Sequence, residues 1–282
     1  MNLWLFKRKS SRASKTGIVV ILTVLVVTTI ASCSQQSNND VLVTEIGVAS
    51  PKKTPAKPSK PTDFFTIGQQ RQSKGDLRGA ISAYSQAIKL NPKYGAAYNN
   101  RGLAKFDSGD KQGAIADYNQ ALQINPNDAQ AYNYRGNARA GLGDNNAAIS
   151  DYNEAIRINP NYADAYNNRG NARAALGDRN NALADYNKAL ELNPQYSVAY
   201  NNRGNARAAQ GDTNGAVADY DEAIRINPNF AAAYNNRGNA RAALGDKQGA
   251  IADLQRAADL FQKQGSQQLA QQATNTLNQL RK

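Results

Sequence analysis

The sequence predicts an all-α solenoid, a row of helical hairpins stacked side by side. The first observation is a pattern of small, aromatic and amide residues that recurs every 34 residues from position 61 onward. The second is the placement of two dipeptides that end helices. Gly-Asp divides each unit into two segments of helical length, and Asn-Pro ends five of the six units. A single hairpin cannot bury its apolar face, so such units are stable only in series and need polar ends.

The N-terminus has the order of a secretory signal peptide. Basic residues precede the apolar run 18–30, and the small residues Ala31 and Ser32 come before Cys33. We therefore predict a signal peptide over residues 1–32. The apolar run is shorter than the roughly 20 residues of a membrane-spanning helix. An uncleaved membrane anchor is the alternative interpretation.

Cys33 is the only cysteine in the chain. Residues 30–33, Ile-Ala-Ser-Cys, resemble the lipobox of bacterial lipoproteins. The resemblance implies lipidation of the Cys33 thiol, cleavage before it, and attachment to a membrane on the non-cytoplasmic side, in the periplasm or cell envelope. Ser34 stands where Asp would favour the inner membrane, so the resemblance leans toward the outer membrane. The alternative, a free thiol in a packed core, does not suit the polar neighbours of Cys33.

Residues 33–60 form the predicted linker between the lipidated cysteine and the repeats. They are polar and then Pro/Lys-rich, with almost no apolar side chain to bury. Such a composition favours a disordered spacer, which extends by about 3.1 Å per residue where it is Pro-rich. Its lysines also suit contact with anionic head groups, although a solvated linker is the simpler interpretation.

Six repeat units occupy residues 61–264, with bounds 61–94, 95–128, 129–162, 163–196, 197–230 and 231–264. Counted from the first residue of each unit, position 8 is always Gly, positions 20 and 27 are always Ala, and position 24 is Tyr in five units. The period and these residues resemble the tetratricopeptide repeat (TPR) family. The resemblance implies a right-handed superhelix in which the first helix of every hairpin lines the concave side.

The residue types in the unit have physical reasons. Gly at position 8 and Ala at positions 20 and 27 allow two helices to approach closely, and Tyr at position 24 fills the seam with the next hairpin. The Gly of Gly-Asp tolerates a left-handed backbone and its Asp caps the second helix. Asn-Pro then ends that helix. The sixth unit lacks Asn-Pro and continues into residues 265–282, which we predict to be an amphipathic capping helix.

Rows of asparagine at positions 5, 6 and 9 lie on the predicted concave side and are the candidate partner-binding residues. They are Asn99, Asn100, Asn133, Asn137, Asn167, Asn168, Asn171, Asn201, Asn202, Asn205, Asn235, Asn236 and Asn239. An amide side chain both donates and accepts, which suits the backbone of an extended peptide. The rows resemble the asparagine ladder of O-linked N-acetylglucosamine transferase, which implies the same binding mode. The alternative is that they are consensus surface positions without a ligand.

Arginines at positions 7 and 11 depart from the family pattern and share one face of the first helix. Position 23 of the second helix is acidic in every unit after the first. The simplest hypothesis is a ladder of structural ion pairs that joins the two helices, formed by Arg135, Arg169, Arg203 and Arg237 with Asp151, Asp185, Asp219 and Asp253. The alternative is that some guanidinium groups bind an anionic partner.

The composition disfavours catalysis. The chain has no His and one Cys, and it shows no phosphate-binding loop or metal-ligand cluster, so we expect no catalytic residues, no metal and no cofactor. Of the net charge of +12, five basic residues precede Cys33, and the remaining +7 is spread along the rest of the chain. Nucleic-acid binding would need a clustered basic patch, so no nucleic-acid partner is expected. We therefore predict a membrane-anchored scaffold that binds extended segments of partner proteins. A self-associating structural array is the alternative.

Overall fold

The computed structural model describes residues 58–281, and its regular elements in that range are thirteen α-helices. The first helices of the six hairpins are α1 (Pro61–Ser73), α3 (Gly95–Asp107), α5 (Ala129–Ala140), α7 (Ala163–Ala175), α9 (Ser197–Ala209) and α11 (Ala231–Ala243). The second helices are α2 (Leu77–Leu90), α4 (Lys111–Ile124), α6 (Asn145–Ile158), α8 (Arg179–Leu192), α10 (Thr213–Ile226) and α12 (Lys247–Lys263). The last helix is α13 (Gln267–Arg281). The predicted all-α solenoid is confirmed.

The turn inside each hairpin has the same construction. In the third unit Gly143 has a φ of 88°, a left-handed conformation that favours glycine. The next residue, Asp144, accepts a hydrogen bond at 3.0 Å from the backbone N–H of Ala147 and so caps α6. Every hairpin repeats the left-handed glycine and the aspartate cap. The reversal between the two helices is therefore encoded locally.

Position 8 is the point of closest approach within a hairpin. A Cβ atom built on Gly170 would lie 2.7 Å from the ring of Tyr186. That ring is almost fully buried and packs in one cluster with Ala182 and with Ala206 of the next hairpin. The tyrosine at position 24 thus joins three helices, and the glycine provides the space for it.

The core is a series of small clusters instead of one central core. Clusters such as that of Ala189, Leu190 and Ala199 join the second helix of one hairpin to the first helix of the next. The first helices of successive hairpins also contact one another directly, from α1 with α3 to α9 with α11. Closer spacing on that side curves the array, so the first helices form its inner face.

The C-terminal end differs from the other seams. Without Asn-Pro, α12 continues to Lys263, and a left-handed Gly265 then turns the chain into α13. Ala273 of α13 lies in the same buried cluster as Leu260 and Phe261 of α12. Helix α13 therefore covers the apolar side that the last hairpin would otherwise expose.

The predicted signal peptide, Cys33 and the linker up to residue 57 lie outside the described residues. Among the helices of residues 58–281, none combines the length and the apolar character of a membrane span.

Candidate partner-binding surface

The inner face is most uniform in its C-terminal half. Helices α7, α9 and α11 carry the same ten residues from position 4 to position 13, Tyr-Asn-Asn-Arg-Gly-Asn-Ala-Arg-Ala-Ala. Position 13 is exposed in all three helices, and positions 6 and 9 are half-buried. The inner face thus has a floor of small side chains with amide groups beside it.

The asparagines at position 5 are buried. Asn133, Asn167 and Asn201 have only 3–4% of their surface exposed. Each accepts a hydrogen bond from the position 6 asparagine of the next hairpin. The bonds run from Asn168 Nδ2 to Asn133 Oδ1 at 3.1 Å, from Asn202 Nδ2 to Asn167 Oδ1 at 3.0 Å, and from Asn236 Nδ2 to Asn201 Oδ1 at 3.0 Å. These amides hold neighbouring first helices together.

This burial revises the binding hypothesis for one row. Asn99, Asn133, Asn167 and Asn201 were predicted to contact a partner, but a ligand cannot reach side chains that are at most 8% exposed. Position 5 of the sixth unit, Asn235, is only half-buried, and α13 packs after this unit where the other units have the first helix of the next hairpin. Position 5 is therefore a positioning row, and direct contact is left to positions 6 and 9.

The asparagines at position 9 are held differently. The hydroxyl of a buried tyrosine donates to the side-chain oxygen of each of three position 9 asparagines. The bonds run from Tyr152 Oη to Asn137 Oδ1, from Tyr186 Oη to Asn171 Oδ1 and from Tyr220 Oη to Asn205 Oδ1, all at 2.8 Å. This bond fixes which end of the amide faces inward. Within residues 58–281, the Nδ2 groups of Asn137, Asn171, Asn205 and Asn239 donate to no protein atom. Position 9 therefore presents unused donors, and the tyrosine bond orients those of the third, fourth and fifth units.

Tyr134 interrupts the row at position 6, as the sequence shows, and the interruption has a structural effect. At this seam no asparagine is present to donate to Asn99, and the buried Oδ1 of Asn99 has no hydrogen-bond partner. The Nδ2 of Asn99 donates to Asp128 Oδ2 at 2.7 Å. In the second hairpin Asn100 donates to the carbonyl of Ala96, within its own helix. The sequence analysis did not predict that Asn99 Oδ1 lacks a partner. The presence of Tyr134 in place of Asn at position 6 was the feature that could have indicated it.

The arginines at position 7 contact the aspartates at position 23. Arg169 donates from Nε and NH2 to the two oxygens of Asp185 at 3.0 and 2.6 Å. Arg173, from position 11, donates to the same carboxylate at 2.7 Å. The structure places Arg135, Arg203 and Arg237 in the same way against Asp151, Asp219 and Asp253. Each buried carboxylate is therefore compensated by two cations.

Each position 7 arginine also reaches the preceding hairpin. The NH1 group of Arg169 donates to Asn153 Oδ1 of that hairpin at 2.7 Å. Within its own helix, the guanidinium carbon of Arg169 lies 5.4 Å from the ring centroid of Tyr166. The equivalent arginines of the other units repeat both contacts. Sequence reasoning anticipated the pairing within a hairpin but not this link between hairpins.

These contacts leave little of the position 7 guanidinium for an anionic partner. All of the nitrogens of Arg169 donate to side chains of the protein. At Arg237 burial lowers the pKa, but hydrogen bonds to Asp253 and Asp221 outweigh it and hold the pKa above its ordinary value. The arginine rows therefore act on the packing of the solenoid.

The buried tyrosines are strongly perturbed acids. Burial raises the pKa of Tyr84 to about 12. Burial likewise raises the pKa values of Tyr152, Tyr186 and Tyr220, and the neighbouring position 23 aspartates add to the effect. The phenols are therefore neutral donors near neutral pH. In the described part of the chain no group of acidic, His or Cys residues is arranged to hold a metal ion.

Five family models match the repeat region. Models described as "TPR repeat" match residues 136–177 and 204–245. Models described as "Tetratricopeptide repeat" match residues 65–129, 163–196, 185–218 and 231–264. No curated protein matches the chain by sequence.

Solved structures show the same architecture. The MamA protein is 29% identical and has a TM-score of 0.52, with 61% of this chain and 93% of MamA covered. PilW, described as a type IV pilus biogenesis factor, is 21% identical with a TM-score of 0.67, over 74% of this chain and 96% of PilW. YrrB, described as a TPR protein with an unusual peptide-binding site, is 24% identical with a TM-score of 0.51, over 70% of this chain and 100% of YrrB.

Proposed function

Because the chain belongs to the tetratricopeptide repeat family, whose members bind protein partners, we propose that it is a non-catalytic scaffold that binds extended peptide segments. The inner face of the solenoid is the binding surface. Positions 6 and 9 contact the peptide, and position 5 holds the first helices in register.

The observation that carries this proposal is the row of oriented amide donors at position 9. Tyr152, Tyr186 and Tyr220 donate to the oxygens of Asn137, Asn171 and Asn205, so an oriented Nδ2 group is presented in the third, fourth and fifth repeats. An extended peptide offers carbonyl acceptors at regular intervals, and pairing with them does not depend on side-chain identity. The description of YrrB as a peptide-binding TPR protein supports the same class of ligand.

The test replaces the donors without removing the acceptors. In the double variant Asn171→Asp and Asn205→Asp, the carboxylates still accept from Tyr186 and Tyr220 but no longer donate. Short fluorescein-labelled extended peptides should bind this variant about five- to thirtyfold more weakly, since two hydrogen bonds are lost. Fluorescence anisotropy measures the change.

The matched control is Asn153→Asp with Asn187→Asp. It introduces the same charge at position 25, where the fifth unit already has Asp221. Binding of the control should equal that of the wild type. Equal affinity of all three proteins would remove position 9 from the binding surface.

The scaffold is also proposed to be a lipoprotein, anchored through Cys33 to a membrane on the non-cytoplasmic side. The order of basic segment, apolar run and Ile-Ala-Ser-Cys supports this proposal. Metabolic labelling with a palmitate analogue should mark the wild type and not Cys33→Ser. Unlabelled wild type would contradict the lipid anchor while leaving the binding surface unaffected.

A further inference from the structure

The inner face changes character around Tyr134. Positions 2, 13 and 34 of the six units comprise eighteen residues, and only three of these are acidic. They are Asp164, Asp107 and Asp128. All three act on Tyr134: burial raises the pKa of its phenol, and the negative charges of the three carboxylates add to the effect. The chain as a whole has a net charge of +12, so this acidic cluster is a local departure.

The cluster is accessible and has an aromatic ring at its centre. Asp107 and Asp164 are exposed, and Asp128 and Tyr134 are half-buried. The Tyr134 ring lies 5.9 Å from the ring of Tyr118 (centroid to centroid), and its hydroxyl accepts from Gln130 Nε2 at 2.9 Å. These contacts hold the ring in place among the carboxylates.

A second, independent observation points to a ligand. Asn99, 8% exposed, belongs to the same cluster through its bond to Asp128 and keeps an unpaired buried acceptor. In the next three seams the equivalent oxygen faces the position 6 side chain of the following unit, which at this seam is Tyr134. An unsatisfied buried acceptor costs about 1–3 kcal/mol. The buried acceptor therefore belongs to an amide that is bonded to one carboxylate of the cluster, and it lacks a donor.

The geometry points to a subsite at Tyr134 that takes a basic side chain, Lys or Arg, of the bound peptide. This inference rests on the proposed peptide-binding function and adds a side-chain preference to it. The cation would lie between Asp107 and Asp164 and against the Tyr134 ring, where ion pairing and cation–π attraction act together. The C-terminal half of the inner face has no equivalent, because positions 12 and 13 of α7, α9 and α11 are Ala.

The test compares two fluorescein-labelled extended peptides that differ only in a central Lys or Gln, with the full-length chain in detergent. The Lys peptide should bind about tenfold more tightly to the wild type at low ionic strength. Asp107→Asn with Asp164→Asn should abolish the difference. Asp259→Asn with Glu191→Gln, two exposed carboxylates on α12 and α8, makes the same change of charge and should preserve it.

Tyr134→Asn is the second variant. It restores the residue that position 6 has in the neighbouring units, so the fold is expected to persist, and circular dichroism checks this. It removes the ring and supplies a donor to Asn99. The ratio of Lys-peptide affinity to Gln-peptide affinity should fall toward one, and a ratio equal to that of the wild type would overturn the role of the Tyr134 ring.

The outcomes separate the subsite from the proposed function. Equal binding of both peptides to the wild type would overturn the subsite and leave the peptide-binding scaffold standing. Binding of neither peptide would overturn both. A Lys preference that emerges only after Lys52, Lys53 and Lys57 are changed to Gln would assign the subsite to the chain's own linker and overturn its assignment to a partner.

Discussion

At the scale of single residues, the buried aspartates at position 23 have the largest effect on stability. Asp185 has 3% of its side chain exposed and lies against Arg169 and Arg173. Asp185→Asn leaves two cations partly buried without a counter-charge, so we expect a loss of about 3 kcal/mol in the free energy of unfolding. Urea denaturation followed by circular dichroism measures it.

The control for that substitution is Glu191→Gln. Glu191 forms an exposed pair with Lys188, three residues away on α8. Such a pair contributes less than about 1 kcal/mol. A loss at Asp185 no greater than that at Glu191 would show that the buried pairs do not stabilise the hairpins.

The buried phenols give a second residue-scale prediction. Their pKa values are raised above the ordinary value near 10, to about 12 for Tyr84. A raised pKa contributes stability that is complete below the unfolded value and is lost as pH rises toward the folded value. The thermal midpoint should therefore be constant up to about pH 9 and then fall steeply between pH 10 and 12.

The slope of that pH dependence reports the number of tyrosines. Tyr220→Phe removes one titrating group, so the free energy of unfolding should fall less steeply with pH, by about 1.4 kcal/mol per pH unit in this window. The slope is compared instead of the absolute stability, because the variant also loses its bond to Asn205. An unchanged slope would exclude Tyr220 from the alkaline transition.

At the scale of the helical hairpin, glycine at position 8 sets the distance between the two helices. Gly170→Ala gains helix propensity but places a Cβ 2.7 Å from the Tyr186 ring, and we expect a net destabilisation of about 1–3 kcal/mol. Gly95→Ala is the control, because its Cβ meets Ile124 at an ordinary 3.5 Å and position 1 is Ala in three other units. It should stabilise by about 0.5 kcal/mol. Thermal unfolding measures both variants. A higher midpoint for Gly170→Ala as well as for Gly95→Ala would contradict the packing argument.

The hairpins themselves could be predicted from sequence because their signals are local. The left-handed glycine, the aspartate cap and the closing Asn-Pro each determine backbone within a few residues. The pairing of positions 7 and 23 was also foreseeable, since opposite charges recur together. Burial of position 5 was not, because it depends on how closely neighbouring first helices approach, and no local pattern states that distance. For the same reason the unpaired oxygen of Asn99 became evident only in the structure.

At the scale of the whole molecule, stability is a sum of hairpins and seams. Leu277 is 3% exposed and lies on α13, which covers the last hairpin. Leu277→Asp should undock α13, so hydrogen exchange should accelerate in α12 and α13 while α5 to α9 keep their protection. Asn278→Asp, at the exposed neighbouring position, should change neither. Uniform acceleration along the chain would indicate a single cooperative unit instead.

Helices α7, α9 and α11 have the same sequence over ten consecutive residues, and this repetition has a kinetic consequence for any bound peptide. A strand that moves along the inner face by one repeat finds the same groups again, so its complex comprises several alignments of equal energy. Sliding of the peptide from one alignment to another competes with dissociation. The residence time of the complex should therefore grow with the length of the bound peptide. Only a position that breaks the periodicity, as Tyr134 does, can make one alignment more stable than the others.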